Sequence, residues 1–184
     1  MNREEAIILL QEKVQSQNLR KHCLATEAIM RELARRLGED PDKWGLAGLL
    51  HDLDFEETKE APNLHGLRTV EMLRQRGLDE ETLAAIKGHN AENLGGQRGT
   101  RFEHALAAAE TITGLIVATA LVYPDKKLAS VKPESITSRM KKKDFARNVD
   151  RNIIGECEKL GLGVPDFAAL SLTAMQGIAS DLGL

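Results

Sequence analysis

Four of the five histidines, His22, His51, His65 and His89, fall in order on or at the ends of successive segments with helical periodicity. His51 is followed directly by Asp52, at the close of the apolar run Trp44–Leu50. This series limits what the chain can fold into. An imidazole in the middle or at the end of an apolar helix must find a partner when the helix is buried. A carbonyl partner explains any single histidine. Four in succession with an adjacent carboxylate point instead to helices that converge on one metal centre. Mixed imidazole and carboxylate ligands suit Mn, Fe, Co, Ni or Zn, one ion or two, and such ions lower the pKa of bound water toward neutrality.

The spacing of apolar residues predicts helices throughout. Ile7, Ile8, Leu10 and Val14 mark a first helix within residues 3–16. Asn18 is placed to cap a second, with its apolar stripe at Ala25, Ala28, Ile29, Leu33 and Leu37 and its stop at Gly38. Asp40-Pro41 reads as an N-cap followed by Pro at the first helical position, opening the helix that delivers His51 and Asp52. Further helices are expected from about 64 to 76, from Asp79 to Gly88, from 102 to 122, at about 148–160, and from Pro165 onward, with Pro133 opening a short one. Residues 54–63 and 91–101 read as loops, the second rich in glycine. No strand alternation, repeat or low-complexity linker occurs. Aromatics are 3% of the chain, so the core must be built from Leu, Ile, Ala, Val and Met. The fold expected is all-α, a single domain over 1–184, with the motif-bearing core at about 18–122 and a C-terminal helical extension.

No run of side chains is apolar throughout the ~18 residues of a membrane span. The start MNREEAIILLQEK lacks the features of a cleaved signal. Cys23 and Cys157 match no zinc pattern and read as buried thiols, and Cys23 is more a core residue than a ligand. A cytoplasmic enzyme is the resulting expectation.

The ordered residues His22, His51-Asp52 and a later acid resemble the HD-domain superfamily of metal-dependent phosphohydrolases, with the pattern H…HD…D. The stretch ALAAAETITGL, 105–115, is similar to that family's last ligand helix. His65 and His89 match the two extra histidines of its dinuclear branch. The resemblance covers about residues 18–122 and implies an HD-domain-like helical bundle. It implies that His22, His51, Asp52 and Glu110 hold one ion, that His65 and His89 hold a second with Asp52 bridging, and that an activated water attacks phosphorus. Asp52, His65 and His89 are then the catalytic candidates, with His65 or His89 contacting phosphate or giving a proton to the leaving oxygen if a single ion binds. Glu110 stands where the family usually has Asp, and its extra methylene either preserves the ligand or rearranges the centre.

Charge is uneven. Residues 126–151 hold nine bases against three acids, a net +6, which leaves −9 for the rest of a chain of net −3. Arg98 and Arg101, in the glycine-rich stretch, and Lys126, Lys127 and Arg139 beyond the Glu110 helix are candidate phosphate contacts, Arg by its bidentate geometry. Asp54 reads equally as an orienting group or a surface cap. Scarce aromatics favour a small phosphorylated metabolite or nucleotide over nucleic acid, while the basic stretch keeps RNA open. A metal-stabilised helical interaction module without turnover is the alternative. The apolar faces of the last helices read as packing back on the domain, with dimerisation the lesser option.

Overall fold

The computed structural model describes all 184 residues, and it contains helices and no strand. Twelve α-helices follow in order: α1 Arg3–Lys13, α2 Gln17–Leu37, α3 Pro41–Leu50, α4 Phe55–Thr58, α5 Leu67–Gln75, α6 Glu80–Gly88, α7 Ala91–Leu94, α8 Arg101–Leu121, α9 Pro133–Met140, α10 Arg151–Gly155, α11 Val164–Gln176 and α12 Ala179–Leu182. Short 3₁₀ turns occupy Pro62–Leu64, Leu128–Ser130 and Glu156–Leu160.

Local chemistry sets most boundaries. Asp40 caps α3 by accepting from the Asp42 and Lys43 amides, and Gly38 ends α2 at φ 76°, a left-handed turn that suits glycine. The cap of α2 is Ser16 rather than Asn18: the Ser16 hydroxyl accepts from the Leu19 amide. The expected loop at 54–63 contains α4 and a 3₁₀ turn, and the expected loop at 91–101 begins with α7. The predicted helix at 148–160 is α10 running into 3₁₀ geometry.

α8 is the central strut. By length and composition it reaches the threshold of a membrane span, contrary to the expectation from sequence, but most of that window is buried within the protein. Its apolar residues pack against α2, α3, α6 and the C-terminal helices. Trp44 of α3 stacks on Phe102 of α8 with ring centroids 4.8 Å apart. Cys23 and Cys157 are both buried free thiols. The extension returns to the same core: Phe167, Leu172 and Met175 of α11 and Leu182 of α12 are buried in it.

The tightest crossing is α2 on α3, which carry His22 and His51-Asp52 respectively. A Cβ on Gly48 would lie 2.9 Å from backbone atoms of Thr26 and Glu27. Glu27, buried at the same crossing, accepts from Arg3 at 2.6 and 2.9 Å and from Arg31 at 3.0 Å. α1 is thereby tied to α2.

Two outcomes are expected. Gly48→Ala should push backbone against backbone and destabilise the fold by about 1–3 kcal/mol, read by thermal or denaturant unfolding; an unchanged midpoint contradicts the close crossing. Asp79, the cap of α6, receives the Thr82 amide and hydroxyl and pairs with Lys43 at 2.8 Å. Partial burial opposes its ionisation, but Lys43 and Thr82 outweigh that and hold the carboxyl down at about 2. Its folded pKa is depressed, so its contribution is present above the unfolded value of about 3.9 and disappears as pH falls through about 2. Asp79→Asn should lower stability at neutral pH and reduce its loss on acidification across that window. Parallel acid titrations of stability in the two proteins check this.

Candidate metal centre

The four histidines meet around Asp52. His51 sits at the C-cap of α3 and is fully buried; its Nδ1 donates to the Gly48 carbonyl at 2.9 Å. His89, at the C-cap of α6, donates from Nδ1 to the Ile86 carbonyl. His65 follows the 3₁₀ turn Pro62–Leu64, and its Nδ1 donates to Asp54 Oδ1 at 2.8 Å. His22, in the middle of α2, lies 2.9 Å by Nδ1 from the Thr113 hydroxyl, which itself donates to the Glu110 carbonyl at 2.6 Å. That hydroxyl therefore accepts from His22.

These partners assign the tautomers. A carbonyl or carboxylate can only accept, so each Nδ1 carries the proton and each Nε2 of a neutral ring offers a lone pair. The four Nε2 atoms point at one another and at Asp52. His22 and His51 Nε2 are 3.1 Å apart and lie 3.6 and 3.4 Å from Asp52 Oδ2. His65 and His89 Nε2 are 2.8 Å apart and lie 3.2 and 3.5 Å from Oδ1. Lone pairs this close repel unless a proton or cation lies among them.

The electrostatics follow the same division. Burial holds the His51 imidazole neutral, its pKa pushed down to about 3. Burial also opposes charge on Asp52, yet the surrounding His51, His65 and His89 rings hold its carboxyl well below the usual range. For His65 the loss of water lowers the pKa, but Asp52 and Asp54 outweigh it and raise it to about 9. A proton on His65 eases its 2.8 Å contact with His89. Side-chain atoms able to ligate one ion, all within 4.8 Å of one another, form two groups: His22, His51 and Asp52, and Asp52, His65 and His89. They share the carboxylate, one oxygen to each side. The donor set, three atoms per group with each imidazole oriented through its other nitrogen, fits divalent transition metals.

Glu110 joins neither group. It is close enough for His22, His89 and Asp52 to act on its charge, but burial raises its pKa first of all, and Oε1 accepts the Thr111 hydroxyl at 2.5 Å. The longer side chain reaches a neighbour on its own helix instead. Cys23 lies beside Asp52, which with burial raises its thiol pKa well above the ordinary value, and it too stands outside both groups.

The phosphate candidates fare differently. Arg98 is not available: its side chain is buried, with Nε and Nη2 each 2.7 Å from Glu156 and Nη1 2.8 Å from the Gly88 carbonyl, and Glu92 completes the set. It fastens the C-terminal segment beside the end of α6, and His104 joins it at Glu156 at 2.7 Å. Arg101 is exposed and pairs with Glu39 at 3.6 Å. Arg139 bonds the Ser135 carbonyl and covers the Phe145 ring. Neither these two nor Lys126 and Lys127 line the two hollows that open beside His22.

Two positioning residues were not separable from surface groups by spacing alone. Asp54 is 1% exposed; besides His65 it accepts from the Gly66 amide at 3.1 and 2.9 Å and the Thr69 amide at 3.0 Å. Gly66 supplies the turn at φ 84°. Thr113, one turn after Glu110, orients His22, and nothing in the local spacing sets it apart from Thr111 and Thr119 of the same helix. Asp54→Asn places an amide NH₂ among donors and loosens His65. Metal content of the purified chain should fall from about two ions to about one, with the His22 group still filled; retention of two ions would show that Asp54 does not set the second group.

The comparisons agree with this geometry. The chain matches the HD domain over residues 19–121. It is 29% identical over 99 residues to ribonuclease Y of Nitratidesulfovibrio vulgaris, and 27% identical over the same length to ribonuclease Y of Lawsonia intracellularis. Each alignment covers 54% of this chain and only 18% or 19% of the relative, so the chain spans about a fifth of the curated relatives it matches. The matched stretch, more than half of the molecule, holds all four converging histidines and Asp52: the chain belongs to the HD-domain family, a family of metal-dependent phosphohydrolases.

Proposed function

We propose that the protein is a metal-dependent phosphohydrolase acting on a small phosphorylated metabolite or nucleotide. The observation that carries this is the convergence of four Nε2 atoms on the two oxygens of Asp52. His22, His51 and Asp52 would hold one ion and Asp52, His65 and His89 a second, with Glu110 entering the first group by leaving Thr111. Bound there, divalent metal lowers the pKa of water and offsets charge on the phosphoryl oxygens.

The chain's own residues do the positioning. Asp54, Thr113 and the Gly48 and Ile86 carbonyls each take an Nδ1 proton, which fixes ring direction and keeps every Nε2 available. His51 and Asp52 are closed from solvent, while His22 has 24% side-chain exposure and forms the open edge. Substrate therefore approaches across His22. A hollow of about 490 Å³ there is lined by Val117, Ala118, Leu121 and Lys21 among others. It suits the organic part of a phosphate ester. If one ion binds alone, His65 or His89 would contact the phosphate or give the leaving oxygen a proton.

A second substrate reading is an RNA phosphodiester. It is supported by the likeness to ribonuclease Y and by the basic segment at 126–151. RNA affinity that falls steeply with added salt would favour it.

The test is hydrolysis of phosphomonoesters, cyclic nucleotides, nucleoside polyphosphates and short RNA by chelator-stripped protein reloaded with Mn, Fe, Co, Ni or Zn. Activity should require metal and fall at least about a thousandfold in Asp52→Ala, since several kcal/mol of charge stabilisation would be lost. Stoichiometric metal without turnover on any of these substrates would contradict the enzyme and favour a metal-stabilised interaction module.

A further inference from the structure

The two histidines of the His65–His89 group stand on very different supports. The last four carbonyls of a helix have no partner further along it, yet at the end of α6 all four are engaged. Ala85 accepts the His89 amide at 3.1 Å, Ile86 the His89 ring, Lys87 the Asn90 amide at 3.4 Å and Gly88 the Arg98 guanidinium at 2.8 Å. His89 therefore rises from a fixed base. His65 does not. It lies between the 3₁₀ turn Pro62–Leu64 and Gly66, in the irregular backbone that joins α4 to α5. Asp54 aims its ring, but a ring correctly aimed from a displaced backbone still misses its ion.

Asn90 joins the two supports. It follows His89 directly and is 7% exposed, and its Nδ2 donates to the carbonyl of Pro62 at 2.8 Å and to that of His65 itself at 3.0 Å. Carbonyls can only accept, which places Nδ2 rather than Oδ1 on that side. Oδ1 is turned the other way, where it accepts from Asn93 Nδ2 at 2.7 Å. Every hydrogen-bonding demand of a buried amide is thus met, two hydrogens by two carbonyls and the oxygen by a neighbouring amide. At the same crossing Gly66 lies against the His89 ring, where a Cβ would stand 3.5 Å from Cε1. Apart from the contact between the two rings, the Asn90 amide makes all the hydrogen bonds between residues 61–66 and residues 85–94.

We propose that Asn90 is a positioning residue for the His65–His89 group. By bonding the His65 backbone to the end of α6 it sets the separation of the two Nε2 atoms, 2.8 Å in this structure, and with it the affinity for the ion they share with Asp52. This rests on the reading of the cluster as two metal sites. Asn90 belongs to neither group of ligands and acts through His65. Asp54 and Asn90 then divide the work: one directs the ring and the other places the backbone that bears it.

The test titrates chelator-stripped parent, Asn90→Ala and His65→Ala with Mn or Co by calorimetry, with circular dichroism as the check on folding. The parent should take up two ions, and His65→Ala should lose one of them, which identifies it. Asn90→Ala should weaken that same ion about 10–100-fold, the range for groups that orient a metal-bound imidazole from behind, and leave the other at the parent's affinity. Unchanged affinity for both ions overturns the proposal. So does an equal loss of both, which marks a residue that supports the fold alone. Should Asn90→Ala not fold, Asn93→Ala answers the question from an exposed position. It removes the group that keeps the Asn90 amide turned toward the two carbonyls, and it should weaken the same ion by a smaller factor; an unchanged titration there also overturns the proposal. A parent that binds fewer than two ions overturns the two-site reading itself, and the role of Asn90 with it.

Discussion

The structure depends on a concentration of like groups that ordinary packing would avoid. Four imidazole nitrogens aim into one small volume around the Asp52 carboxylate, where the proton that Asp52 and Asp54 favour on His65 is a local relief within one pair. Such a cluster is costly in the low-dielectric interior. Its geometry makes sense as a receptor for divalent charge, in which each repulsive contact becomes a bond. The surrounding shell is arranged accordingly: two carbonyls, one hydroxyl and one carboxylate each take an Nδ1 proton.

The shell is inseparable from the fold. Gly48 both permits the approach of α2 to α3 and supplies the carbonyl that orients His51. Asp54 ties the turn before α5 to its first residues and at the same time fixes His65. The Arg98–Glu156–His104 group brings the C-terminal extension against the end of α6 and the start of α8. The extension then supplies the turn at 148–150 that borders the open edge of the cluster.

How much of this was legible in the sequence depends on the range of the interaction. Caps and stops act over three or four residues, so Asp40-Pro41, Gly38 and Asp79 could be read directly, and the histidine series gave the convergence of helices. Ser16 was missed because Asn18, two residues later, is an equally good capping type. Arg98 reads in the sequence as a phosphate contact because its partner Glu156 lies 58 residues away, a distance at which no local pattern operates. Asp54 was ambiguous for a related reason: its burial depends on the turn at Gly66. Glu110 was legible as a position but not as a rotamer, since one methylene decides whether it reaches the cluster or Thr111. The apolar length of α8 was understated because its Thr and Glu residues interrupt the run without lowering its mean hydropathy below that of a membrane helix.

The central claim is that the paired groups around Asp52 are metal sites. Anomalous diffraction from crystals grown with Mn or Co tests it most directly. The account predicts two peaks, one bonded by Nε2 of His22 and His51 and the other by Nε2 of His65 and His89, with one Asp52 oxygen to each. Absence of any peak among these residues, or ligation through Nδ1, would contradict it.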